Sequence, residues 1–111
     1  VEEKFSIDPY LTDLLILDET VKQIQKDFAF FALPVVFSGN ENSAYEELFK
    51  QIQPHIKRLM EEDYQKFLSL MYRIDINEKR LRTDNEPTKH MTELIIKRCL
   101  QKVVFRKLYS K

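Results

Sequence analysis

The chain contains a single glycine, Gly39, among its 111 residues. Glycine supplies positive φ at tight turns and lets backbone lie against phosphate. A chain with one of them therefore has little access to chemistry built from loops. A Walker loop, a dinucleotide fingerprint and a nucleophile elbow each need more than one glycine, and none can be written from this sequence. What remains is rich in helix formers separated by short punctuation, which points to an all-α fold.

Asp8-Pro9 reads as a helix start, with Asp8 as N-cap and Pro9 preset for the first turn. Behind it Tyr10, Leu14, Leu17, Val21, Ile24, Phe28 and Phe31 recur at spacings of four and three and share one stripe. Pro34 is expected to end or kink this helix, and Ser38-Gly39-Asn40 supplies the strong turn chemistry. A second helix is expected from Ser43, whose hydroxyl and Glu46 have capping-box spacing. It carries Leu48, Phe49, Ile52, Ile56 and Leu59, and Pro54 should bend or divide it.

Asp63 can cap a third helix with Tyr64, Phe67, Leu68 and Met71 inward, continuing through Tyr72 and Ile74. Asn77 restarts a short turn that includes Leu81. After a polar loop from Thr83 to Glu86, Pro87 opens a fourth helix that runs close to the C-terminus. Four such stripes predict one domain over residues 1–111, an antiparallel four-helix bundle with a kinked second helix. The connection after the first helix is longer than such bundles usually have.

A composition of 43% hydrophobic and 32% charged residues excludes disorder and suits a folded soluble domain. Cys99 is the one cysteine, so no intrachain disulfide is available and a reducing compartment is favoured. No stretch reaches the roughly 20 apolar residues of a membrane span, and no basic-then-apolar signal opens the chain. The expected location is the cytoplasm, with the start at Val1 compatible with removal of an upstream methionine or leader.

Net charge is zero, yet residues 1–63 carry −7 and residues 64–111 carry +7. The expected consequence is an acidic helix pair lying against a basic one. A basic face left open to an acidic partner is the alternative.

Residues 28–37, FAFFALPVVF, run apolar through a proline and cannot form one face of a regular helix. The segment is expected to cap the end of the bundle. Its alternative is a self-association or partner patch at Phe30, Phe31, Val35, Val36 and Phe37. On the fourth helix Ile95, Ile96, Cys99, Leu100 and Val103 form the expected core side. Arg98, Lys102, Phe105 and Tyr109 fall on another face, with Met91 and Leu94 at its upper end and Arg106 at its margin. Cations mixed with aromatics can hold phosphates and bases, or can anchor in a protein groove. They can also be covered by the first or third helix.

Catalytic patterns are weak. His55 and His90 are the only histidines, and Ile52 stands where a di-iron bundle would need Glu before His55. Cys99 lies on the apolar face as a small hydrophobe. Glu61-Glu62-Asp63 reads as capping and dipole compensation. The sequence calls for no cofactor, metal or small-molecule substrate.

Tyr72-Arg73-Ile74-Asp75-Ile76-Asn77-Glu78-Lys79, followed by Arg98-Cys99-Leu100-Gln101-Lys102 and Arg106, resembles a family of small uncharacterised all-helical bacterial proteins. In that family a Tyr-Arg-Ile-Asp-x-x-Glu-Lys segment precedes a last helix with Arg-x-Leu-Gln-Lys-x-x-x-Arg. The resemblance covers about the last 50 residues, and Cys99 departs from it where an acid is usual. It implies a helical fold and no particular activity.

Residues two apart do not face each other on a helix, so Arg73 and Asp75 must each find partners elsewhere. The expected network joins Arg73, Asp75, Glu78, Arg98 and Lys102, with Asp75 or Glu78 meeting Arg98 or Lys102 across the junction between the third and fourth helices. Functionally, these features predict an interaction or structural module without its own chemistry, engaging a protein partner or a second copy. The alternative is a regulatory protein that uses the last helix on nucleic acid, although neutral overall charge disfavours a large phosphate footprint. An enzyme ranks third.

Overall fold

The computed structural model describes residues 13–77, 79 and 85–109. Among them are four α-helices and no strand: α1 (Leu14–Ala29), α2 (Ala44–Glu62), α3 (Tyr64–Ile74) and α4 (Pro87–Tyr109), with a 3-10 turn at Glu41–Ser43 ahead of α2. No helix among the described residues is long and apolar enough to cross a membrane.

Helix α1 starts at Leu14. Asp13 is extended, and its Oδ1 accepts from the Leu15 and Ile16 amides at 3.1 and 3.2 Å, which caps the helix at Leu14. Leu14 therefore falls in the exposed first turn and leaves the inward stripe. Asp8, Pro9 and Tyr10 lie outside the described residues. Leu17, Val21, Ile24 and Phe28 are buried as their spacing predicts, joined by Thr20 and Asp27. The helix then stops at Ala29, before Pro34 is reached. The Leu33 amide bonds back to the Phe28 carbonyl and the Ala32 amide to the Ala29 carbonyl, both at 3.0 Å, with Ala32 at φ 61°. This is a Schellman turn with alanine where glycine is usual.

Helix α2 runs unbroken through Pro54. An interior proline withdraws one backbone bond, but the buried ridge of Leu48, Ile52, Ile56 and Leu59 continues across it. The expected Ser43–Glu46 capping box does not form. Ser43 makes no side-chain cap bond, and its hydroxyl donates to Glu47 at 2.6 Å.

Asp63 joins α2 to α3 without a loop. Its amide closes α2 on the Leu59 carbonyl at 2.9 Å, while its carboxylate accepts from the Lys66 amide at 3.1 Å and opens α3. The inward face of α3 is Phe67, Leu70, Met71 and Ile74. Tyr64 and Tyr72 are exposed rather than inward, and Leu68 is half-buried. On α4 the expected core residues Ile95, Ile96, Cys99, Leu100 and Val103 are all buried, and so is Met91.

The main core joins all four helices around Phe28, Ile52, Phe67 and Ile95, each fully buried. Sequestering a side chain of this size is worth about 1.5–3 kcal/mol. A smaller cluster of Ile16, Leu100, Val103 and Val104 ties the start of α1 to the last turns of α4. Among the described residues, two ion pairs cross between the acidic and basic halves, Glu19 with Lys107 at 3.0 Å and Asp27 with Arg73 at 2.9 Å.

Candidate functional site

The stretch after α1 has no helical ladder, so its backbone groups need other partners. They find them on one ridge of α2, where Glu47, Gln51 and His55 recur every four residues. His55 Nε2 lies 2.9 Å from the Pro34 carbonyl, Gln51 exchanges two bonds with the Val36 backbone at 2.8 and 2.7 Å, and Glu47 accepts from the Ser38 amide at 3.0 Å. Two residues of extended chain rise about 6.6 Å, close to the roughly 6 Å of four helical residues. The two registers therefore match over three contacts. On the other side Gln25 donates to the Val35 carbonyl at 3.0 Å.

Extended backbone alternates its side chains, and this divides the apolar segment. Val35 is 7% exposed and Val36 is 69% exposed. Leu33 and Val35 are buried, and Phe37 packs against the core while half-buried. Before the turn, Phe31 is half-buried and Phe30 is 68% exposed. LPVVF is apolar throughout and carries no period of two, so the alternation comes from the extended backbone alone.

The α3 C-terminus brings several predicted residues together. Asp75 takes φ 74°, the Ile76 amide bonds to the Met71 carbonyl at 2.9 Å and the Asp75 amide to the Tyr72 carbonyl at 3.2 Å, a second Schellman turn without glycine. The turn presents Asp75 to Arg98 Nη2 at 2.8 Å, and Lys102 Nζ donates to the Arg73 carbonyl at 3.4 Å. Glu78 lies outside the described residues. Arg73 itself turns to α1, where its Nε donates to Asp27 Oδ1 at 2.9 Å. Asp27 is 2% exposed and also accepts from Gln23 at 3.1 Å. The signal for this pair was a lone carboxylate beside Phe28 on the inward stripe of α1, which must find a cation.

Beside that ion pair lies a groove of about 720 Å³ between the end of α1 and the last turns of α3. Its walls are Phe30, Phe31, Leu68, Ser69, Tyr72, Arg73 and Ile76. The Arg73 guanidinium carbon sits 4.4 Å from the centroid of the Phe30 ring, and Phe30 meets Phe31 edge-on at 5.1 Å. Tyr72 is 89% exposed.

The candidate face on α4 is differently occupied. Arg98 is held by Asp75, Lys102 by the Arg73 carbonyl, Arg106 Nη1 by Gln23 Oε1 at 3.1 Å and Lys107 by Glu19. Phe105 and Tyr109 remain exposed, with ring centroids 6.5 Å apart.

Burial pushes the Cys99 thiol up to about 12, with the Asp27 carboxylate adding to the shift and Lys102 and Arg98 opposing it. At neutral pH it is a protonated core side chain, not a nucleophile. The Ser38 and Ser43 hydroxyls and the Ser38 amide hold the Glu47 carboxyl below the usual glutamate range. Among the described residues no group of three or more His, Cys, Asp or Glu side chains converges as a metal site.

No family model, curated protein or solved structure matches the chain.

Proposed function

We propose that this chain is a small helical docking module that holds a protein partner and performs no chemistry of its own. The observation that carries the reading is the groove between α1 and α3, where exposed Phe30 and Tyr72 stand beside an oriented arginine. Aromatic and arginine side chains dominate the energetics of protein interfaces. Exposed apolar surface of this kind commonly marks a contact.

The scaffold in this reading is a four-helix bundle. The pairing of Glu19 with Lys107, together with the influence of the Asp27 carboxylate on Cys99, supports α4 running antiparallel to α1. The bond of Gln53 to Thr88 and the influence of the Glu93 carboxylate on Tyr45 support the same sense between α4 and α2. Helices α1 and α2 would then point the same way, with the extended connection returning between their ends. A cytoplasmic setting and kinship with the small bacterial helical family belong to the same proposal. Internal partners for Arg98, Lys102, Arg106 and Lys107 speak for protein docking over nucleic acid.

The test is in-cell photo-crosslinking with benzoylphenylalanine placed at position 69 or 72 on the groove, at 109 on the end of α4, or at 57 on α2. Discrete adducts from 69 and 72, with none from 57, are expected. Adducts from 109 alone would move docking to α4, and no adduct from any position would overturn the reading.

A further inference from the structure

We propose that the groove between α1 and α3 receives an acidic protein segment, which seats an apolar side chain between Phe30 and Tyr72 and gives a carboxylate to the outer edge of Arg73. This rests on the docking reading above and adds the chemistry of the partner.

The argument starts from how Arg73 is held. Its Nε donates to Asp27, its face lies on the Phe30 ring, and Asp27 is fixed in turn by Gln23, which accepts from Arg106. The guanidinium plane is thus oriented before any partner arrives. Only the Nε side is used, for Nη1 and Nη2 have no hydrogen-bonding partner among the described residues. Those nitrogens present the parallel N–H pair that matches a carboxylate bidentately. A lysine could satisfy Asp27 but could not offer this second edge.

The surroundings favour an anion there. A helix C-terminus normally repels one, but three of the carbonyls at the end of α3 are already occupied. Met71 and Tyr72 accept from the amides of the Schellman turn, and Arg73 accepts from Lys102. Among the described residues nearby, the cations Arg73, Arg98 and Lys102 stand against two carboxylates, Asp27 and Asp75, each already bound. Apart from Ser69, the remainder of the lining, Phe30, Phe31, Leu68, Tyr72 and Ile76, is apolar or aromatic. An acidic segment with an aromatic or aliphatic anchor complements both parts, and its ordering cost falls because the groove residues are pre-positioned.

The test uses the full chain and an unbiased probe. A random dodecapeptide library is selected on the wild-type protein and counter-selected on Phe30→Ser, after sedimentation has recorded the mass of both proteins across concentration. The expected result is groove-dependent peptides enriched in Asp or Glu beside a Phe, Leu or Tyr. Synthetic copies should lose roughly tenfold in affinity when their acid is changed to the amide, or in Arg73→Lys with its helical circular dichroism intact.

Groove-dependent peptides without acid enrichment would overturn the carboxylate assignment while leaving docking in place. Displacement of the peptides by a mixed-sequence oligonucleotide would reassign the edge to phosphate and overturn it as well. Wild-type self-association abolished by Phe30→Ser would make a second copy the occupant. Selection of no peptide that distinguishes wild type from Phe30→Ser would overturn both the inference and the docking reading.

Discussion

Ala32 carries a backbone conformation that its side chain opposes. At φ 61° an L-residue with a Cβ is disfavoured by about 1–2 kcal/mol, yet the two bonds of the turn at the end of α1 require that φ. Ala32→Gly removes the penalty and returns about 0.4–1 kcal/mol of it through the freer unfolded chain. The expected net stabilisation is about 0.5–1 kcal/mol, read as a higher urea midpoint at unchanged slope. Gly39 supplies the opposite case. It sits at φ 96° with nothing within 4 Å of an added Cβ, so Gly39→Ala should lower the midpoint for conformational reasons alone. A fall for Ala32→Gly would mean that the alanine methyl contributes packing that outweighs its backbone cost.

At the scale of elements, the connection between α1 and α2 is held by polar side chains of α2, and one of them titrates. Glu47 accepts from both Ser38 and Ser43, and these bonds favour its charged form. Its folded pKa lies below the unfolded value, so its contribution to holding Ser38 is fully present above the unfolded pKa. That contribution is lost as pH falls through the folded pKa. Carboxyl-detected NMR should place the Glu47 midpoint below that of an ordinary glutamate. Ser38→Ala and Ser43→Ala should each move it upward, and no movement in either would dissociate the shift from these bonds.

The same connection marks the limit of what the sequence made legible. Helical stripes identified Val21, Ile24, Phe28, Ile52, Phe67 and Ile95 as core, because a period near 3.6 is written in the residues themselves. The Asp75–Arg98 pair was also foreseeable, since Asp75 needed a partner beyond its own helix. What periodicity does not encode is where α1 starts and stops. Asp13 caps α1 at Leu14 and the Ala32 turn ends it ahead of Pro34, through hydrogen bonds only visible once the chain is folded. The groove was illegible for a related reason, as it arises where two helix ends distant in sequence meet.

That meeting is a property of the whole molecule, and the Asp27–Arg73 pair spans 46 positions of the chain to make it. Burial is unequal, with the Asp27 side chain 3% exposed and that of Arg73 29%, so the two single losses should differ. Arg73→Met strands a buried carboxylate and should cost about 3–5 kcal/mol. Asp27→Leu leaves a guanidinium that still reaches water and should cost less. The double variant should be more stable than Arg73→Met alone, because replacing both members of a buried pair with apolar side chains removes the uncompensated charge. Chemical denaturation of all four proteins measures the cycle. Strictly additive losses would mean that the two groups are uncoupled, and that the ends of α1 and α3 are held together by Phe28, Met71 and Ile74 without help from charge.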